Sequence, residues 1–89
     1  MVSEAEKQII TTIARKHGAH RVLLFGSSAE AGRDAADIDI AVEGIPPREF
    51  FTFYGELMFA LSKPVDVVDL SERSRFTDII RREGVLLYG

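Results

Sequence analysis

Apolar residues along this chain recur alternately at helical and at strand spacing, and that alternation predicts the elements. Ile9, Ile10, Ile13 and Ala14 make a helical stripe, opened by Ser3 and Glu6 at capping-box spacing with Val2 ahead as a staple. Gly18 is a suitable stop. A continuous apolar run, Val22 to Phe25, reads as a buried strand that ends at Gly26. Gly26 to Ala36 is expected to be a loop or short helical turn. Strict alternation returns from about Asp37 to Val42, where Ile38, Ile40 and Val42 point one way and Asp37 and Asp39 the other.

Pro46 and Pro47 break the chain, and Pro47 suits the first turn of the next helix, roughly Arg48 to Leu61. Phe50, Tyr54, Leu57 and Leu61 form one stripe of it, while Phe51, Phe53, Met58 and Phe59 carry apolar surface around most of the circumference. Such a helix must bury more than one face. The second face is therefore a candidate docking surface for a homo- or hetero-oligomer, and part of Phe50, Phe51, Phe53 and Phe59 is expected to lie exposed. Val65 to Asp69 is a third strand, Ser71 is expected to cap a helix carrying Phe76, Ile79 and Ile80 up to Gly84, and Val85 to Tyr88 is a last short strand. Strands alternating with helices in this order imply an α+β domain, with α/β-like alternation and helices covering a sheet.

At 89 residues the chain is expected to be one domain spanning 1–89. Its composition, 46% apolar and 28% charged, is that of a globular protein. The net charge of −3 argues against direct nucleic-acid binding. Arg73, Arg75, Arg81 and Arg82 are interleaved with Glu72, Asp78 and Glu83, as on a solvated face. Cysteine is absent, so neither a disulfide nor a thiolate metal site is available. No signal-peptide pattern or membrane-length apolar run is visible, and a cytoplasmic, membrane-free location is expected.

Chemistry concentrates between Gly26 and Asp66. Gly26 and Ser27 follow a strand at a turn, where backbone N–H groups favour a phosphate. By themselves they read better as an ordinary strand-to-helix turn with a serine cap. Asp37 and Asp39, two apart in a strand pattern, lie ~6.6 Å apart and can converge on divalent cations ~3.5–4 Å apart. Like charges so close repel unless a cation intervenes. Asp66 lies inside Pro64-Val-Asp-Val-Val68, where burial of an acid has a cost unless something offsets it. Asp69, three residues on, faces the other side and reads as a turn or capping residue. Arg33, Lys63, Glu30, Asp34, His17 and His20 read as surface residues, and Tyr54 and Tyr88 as packing residues.

With these residues the chain resembles the minimal nucleotidyltransferases of the DNA polymerase β superfamily. The shared pattern is an apolar strand, Gly26-Ser27, nine residues (Ser28 to Ala36), Asp37-Ile-Asp39, then Asp66 on a later strand. The resemblance implies a nucleotidyltransferase fold with a small mixed sheet. It also implies that Gly26 and Ser27 bind the nucleotide, and that Asp37, Asp39 and Asp66 are catalytic and hold two Mg2+ ions. Two positions depart from the pattern: Ser28-Ala29-Glu30-Ala31 supplies no arginine after Gly-Ser, and Ala36 stands where many members have serine. Small members of this kind resemble the antitoxin of a HEPN/MNT toxin–antitoxin pair. The expected function is thus ATP-dependent transfer of AMP to a helical HEPN-type partner protein. The alternatives are a catalytic subunit acting on a small molecule held by another subunit, and a non-catalytic antitoxin that neutralises by binding alone.

Overall fold

The computed structural model describes residues 1–32 and 34–89; Arg33, expected at the surface, lies outside the described residues. Helix α1 (Glu4–Lys16) starts at the expected capping box: Ser3 Oγ accepts from the Glu6 N–H, and Glu6 accepts from the Ser3 N–H. Strand β1 (Arg21–Leu24) leads into a four-residue 3-10 turn (Gly26–Ala29), followed by β2 (Ile38–Glu43). Helix α2 (Pro47–Ala60) begins with Pro47 in its first turn, as expected. Strand β3 (Val65–Asp69), helix α3 (Arg75–Glu83) and strand β4 (Val85–Tyr88) complete the described elements.

The sheet order is β3-β2-β1-β4. Strands β2 and β3 are parallel, while β1 pairs antiparallel with both β2 and β4. The expected α+β architecture with a mixed sheet is therefore present. Parallel pairing needs a crossover, and α2 supplies it. One face of the sheet carries Val22, Leu24, Ile38, Ile40, Val42 and Val65, which form a core with Ile10 and Ala14 of α1 and Phe53 and Leu57 of α2. The other face carries Leu23 and Ala41, packed with Leu70 and with Ile80 of α3. Period-two alternation thus decides which helix layer each strand residue meets.

Two expectations need correction. The cap of α3 is Ser74, not Ser71: Ser74 and Thr77 exchange two hydrogen bonds in a capping box. Ser71 instead belongs to a turn, its N–H donating to Asp69 Oδ1 at 2.9 Å, so Asp69 does act as a turn residue. His17 is no surface residue. It caps the C-terminus of α1, its side chain is only 8% exposed, and its Nε2 lies 3.0 Å from Glu56 Oε1 of α2. Lysine 16 reaches the same carboxylate at 3.1 Å, and these two contacts fasten α1 to α2.

Helix α2 divides its aromatics between two environments. Phe53 is fully buried and Phe50 half-buried, whereas Phe51 and Phe59 are 82% and 95% exposed. Truncation should separate the two groups. Phe53→Ala should lower unfolding free energy by about 3–5 kcal/mol, and Phe59→Ala should change it by under about 0.5 kcal/mol. Urea unfolding of both variants checks this.

Candidate active site

The acids meet through strand register. In the parallel β2–β3 ladder Asp39 stands directly opposite Asp66, flanked by Ile38 opposite Val65 and Ile40 opposite Val67. Adjacent strands run about 4.8 Å apart and partners share a side-chain direction, so both carboxylates leave the same face. That is the face of α3, because Asp39 shares parity with Ala41, and Asp66 with Val68. Asp37 lies one residue before β2 and is exposed, beside the same edge. Asp69 falls on the opposite parity, in register with Val42.

Gly26 forms the other wall. Its φ of +59° is a left-handed conformation that favours glycine, and a Cβ there would sit 2.9 Å from Asp39 Oδ2. The turn therefore brings backbone against the carboxylate at a distance no other residue would allow. Ser27 is half-buried beside it.

Ser28, given no role in the sequence reading, locks this arrangement. It is fully buried, and its Oγ accepts from the Asp39 N–H at 2.8 Å while donating to the Asp37 carbonyl at 3.2 Å. The Phe25 N–H donates to the Asp39 carbonyl at 3.2 Å. One hydroxyl thus fixes the backbone of both acids of the Asp-x-Asp pair. Its signal in the sequence is only a second serine after glycine, which looks like any solvated turn residue. Tyr54 fixes the neighbouring strand, its hydroxyl donating to the Val65 carbonyl at 2.8 Å. Lys63 lies elsewhere, paired with Glu6 at 3.0 Å.

Burial holds the Asp39 carboxyl above its ordinary value, and the carboxylates of Asp66 and Asp37 push it the same way. Among the described residues no lysine, arginine or histidine ion-pairs with any of the three. Nor are three His, Cys, Asp or Glu side chains gathered there tightly enough to cage a metal as they stand. The acids form an open, mutually repelling set. Oxygen donors of this charge fit a hard divalent cation such as magnesium, which would offset the repulsion.

The sequence model of the family "Polymerase beta, Nucleotidyltransferase" matches residues 7–89. The chain belongs to that family. Solved structures agree with the assignment. This nucleotidyltransferase is similar to a chain in a crystal structure of the toxin–antitoxin MntA-HepT, with 25% identity and a TM-score of 0.74, covering 98% of this chain and 73% of that one. It is similar at 27% identity and TM-score 0.76 to a chain of a toxin–antitoxin structure with AMP-PNP, over 93% of this chain and 73% of that one. A third likeness is to a chain in a complex of tri-AMPylated Shewanella oneidensis HEPN toxin with MNT antitoxin, at 26% identity and TM-score 0.75, over 97% of this chain and 71% of that one. Comparison with curated proteins found no match.

The raised Asp39 carboxyl has a consequence for the stability of the nucleotidyltransferase. A carboxyl whose folded-state pKa lies above its unfolded value destabilises the fold when ionised. The penalty is absent at low pH and grows as pH rises through the carboxylate range. Asp39→Asn should therefore raise Tm by a few degrees at pH 7 in chelator-treated buffer, with the gain shrinking toward acid pH. Added magnesium should raise Tm of the parent more than that of the variant. Differential scanning calorimetry at several pH values checks both.

Proposed function

We propose that the protein is an ATP- and Mg2+-dependent adenylyltransferase that modifies a partner protein, as the antitoxin of a HEPN/MNT pair. The observation that carries the reading is the register of Asp39 against Asp66, with Gly26 pressed to the Asp39 carboxylate. Support from relatives lies in the tri-AMPylated HEPN toxin found with its MNT antitoxin and in the neighbour with AMP-PNP. On this reading the whole of 1–89 is the catalytic domain, working in the cytoplasm on a helical partner.

The residues divide the work. Gly26 and Ser27 face the triphosphate, and Asp37, Asp39 and Asp66 hold the cations. Two magnesium ions, when bound, stabilise the attacking and leaving oxygens of an in-line displacement. An acceptor hydroxyl, most suitably tyrosine, forms a new bond to the α-phosphorus. The bond from that phosphorus to the bridging oxygen of the β-phosphate breaks, and pyrophosphate leaves. Asp66, exposed at the edge of the set, takes the hydroxyl proton. Ser28 holds the Asp37–Asp39 backbone in place through the cycle.

The acceptor is presented by its own protein, and α2 offers the docking face. Phe51, Met58 and Phe59 are 82%, 60% and 95% exposed, a grouping of apolar side chains that marks a protein interface. A second reading, neutralisation by contact alone, is favoured by one observation: Ser28-Ala29-Glu30-Ala31 brings no arginine to the phosphates.

Incubation with ATP, magnesium and the co-encoded helical partner should add AMP to that partner and release pyrophosphate. Asp37→Ala and Asp39→Ala should reduce transfer at least a hundredfold while partner binding persists. Phe59→Asp should weaken partner binding about tenfold or more without unfolding the chain. Intact-mass measurement of the partner, with a pull-down of each variant, reads these outcomes. An unmodified partner that is still neutralised by the Asp37→Ala protein would favour the contact-only reading.

A further inference from the structure

The two edges of the sheet differ in chemistry. Strands β3 and β4 end the order β3-β2-β1-β4, so each has one side without a strand partner among the described residues. Edge β3 carries Asp66 and Asp69, and pairing two copies of it would bring these acids together. Edge β4, Val85-Leu86-Leu87-Tyr88, has no charged residue to discourage pairing. A bulge at Leu87, where β4 has one residue more than β1, puts Leu87 and Tyr88 both toward the core under α1. Leu86 remains 55% exposed, with Val85 partly exposed beside it. Next to this edge lies a hollow of about 510 Å3, walled by Leu86, Leu87 and one face of α1 from Glu4 to Arg15.

We propose that the β4 edge and this face of α1 form a twofold interface with a second copy of the chain. The order of charge along α1 favours a second copy over an unrelated peptide. A twofold axis presents one patch to itself and runs paired elements antiparallel. Antiparallel copies of α1, centred between Ile9 and Ile10, set Glu4 of each copy against Arg15 of the other. Lys7 then falls opposite Thr12, and Gln8 opposite Thr11. The acid stands in the first turn and the base in the last, so the helix dipoles favour the same antiparallel arrangement. Within one copy the Glu4 carboxylate meets Lys7 at 3.3 Å yet stays exposed, and the Arg15 guanidinium lies over the Tyr88 ring, 5.9 Å from its centre. Both charges are thus available at this edge. Backbone groups of the two β4 edges add hydrogen bonds, as in strand addition. Helix α2 lies over β3 at the other end of the sheet, so Phe51 and Phe59 stay free for a different partner.

Sedimentation equilibrium of the full chain tests the interface. The parent should sediment at twice the 9.9 kDa of one chain, with the dimer weakening as salt rises. Leu86→Lys should give a monomer. Glu4→Arg and Arg15→Glu should each raise the dimer Kd about tenfold or more, because like charges then meet twice across the axis. An equimolar mixture of these two variants should regain the dimer, since both pairs across the mixed interface are again opposite in sign. Circular dichroism reports that each variant folds, and the mixture reads the interface independently of Leu86→Lys. Phe59→Asp, at the other end of the sheet, should leave the dimer mass unchanged. A parent that is monomeric at every concentration would overturn the proposal, as would a mixture that fails to restore the dimer. A dimer dissociated by Phe59→Asp and not by Leu86→Lys would place the contact on α2 and equally overturn it.

Discussion

The parallel pairing of β2 with β3 is the constraint on which the site depends. It sets Asp39 against Asp66, and it can do so only because Ile38, Ile40, Val65 and Val67 offer apolar side chains to the opposite face. A slip of one residue would bury carboxylates among α1 and α2 and expose the isoleucines. The register that places two like charges side by side is therefore enforced by the core on the other face. Asp39 bears the consequence, with a carboxyl held above its ordinary value by burial and by its two acidic neighbours. The fold thus tolerates a local electrostatic conflict that a bound divalent cation would resolve. Sites where local and global preferences disagree are where function is expected.

Much of this was legible in the residues. Alternation in Ile38-Asp39-Ile40 and in Val65-Asp66-Val67 gives the parity of each acid without reference to a structure. Gly26 is readable as a turn, and Asp69 as a turn residue from its odd spacing to Asp66. The pairing of β2 with β3, and hence of Asp39 with Asp66, is a long-range fact that local periodicity does not contain. Ser28 and His17 were illegible for a related reason. Each is a polar residue next to a helix or turn boundary, where solvation is the ordinary outcome. Their burial follows from what the rest of the chain places over them: the Asp37–Asp39 backbone for Ser28, and Glu56 for His17. Ser71 and Ser74 both fit the start of α3, and local sequence does not choose between them. Asp69 claims the N–H of Ser71, and Thr77 completes the box of Ser74.

Membership in the polymerase beta nucleotidyltransferase family and the resemblance to MntA-HepT pairs bring these features into one account. α1 and α2 bury one face of the sheet, and the acids open on the other, beside α3. Helix α2 also carries Phe51 and Phe59 outward, so the docking face proposed for it lies on the layer that supports the site. The three acids and the exposed aromatics of α2 then lie on different parts of the molecule. Such separation lets a substitution in one leave the other working.

The central claim is that Asp37, Asp39 and Asp66 form a single divalent-cation site facing the Gly26 turn. A crystal grown with manganese and a non-hydrolysable ATP analogue, with anomalous scattering collected at the manganese edge, addresses it directly. The account predicts anomalous peaks between the three carboxylates, ~3.5–4 Å apart if both ions bind, with the triphosphate against Gly26 and Ser27. Manganese and nucleotide bound elsewhere, with these carboxylates free of metal, would contradict it.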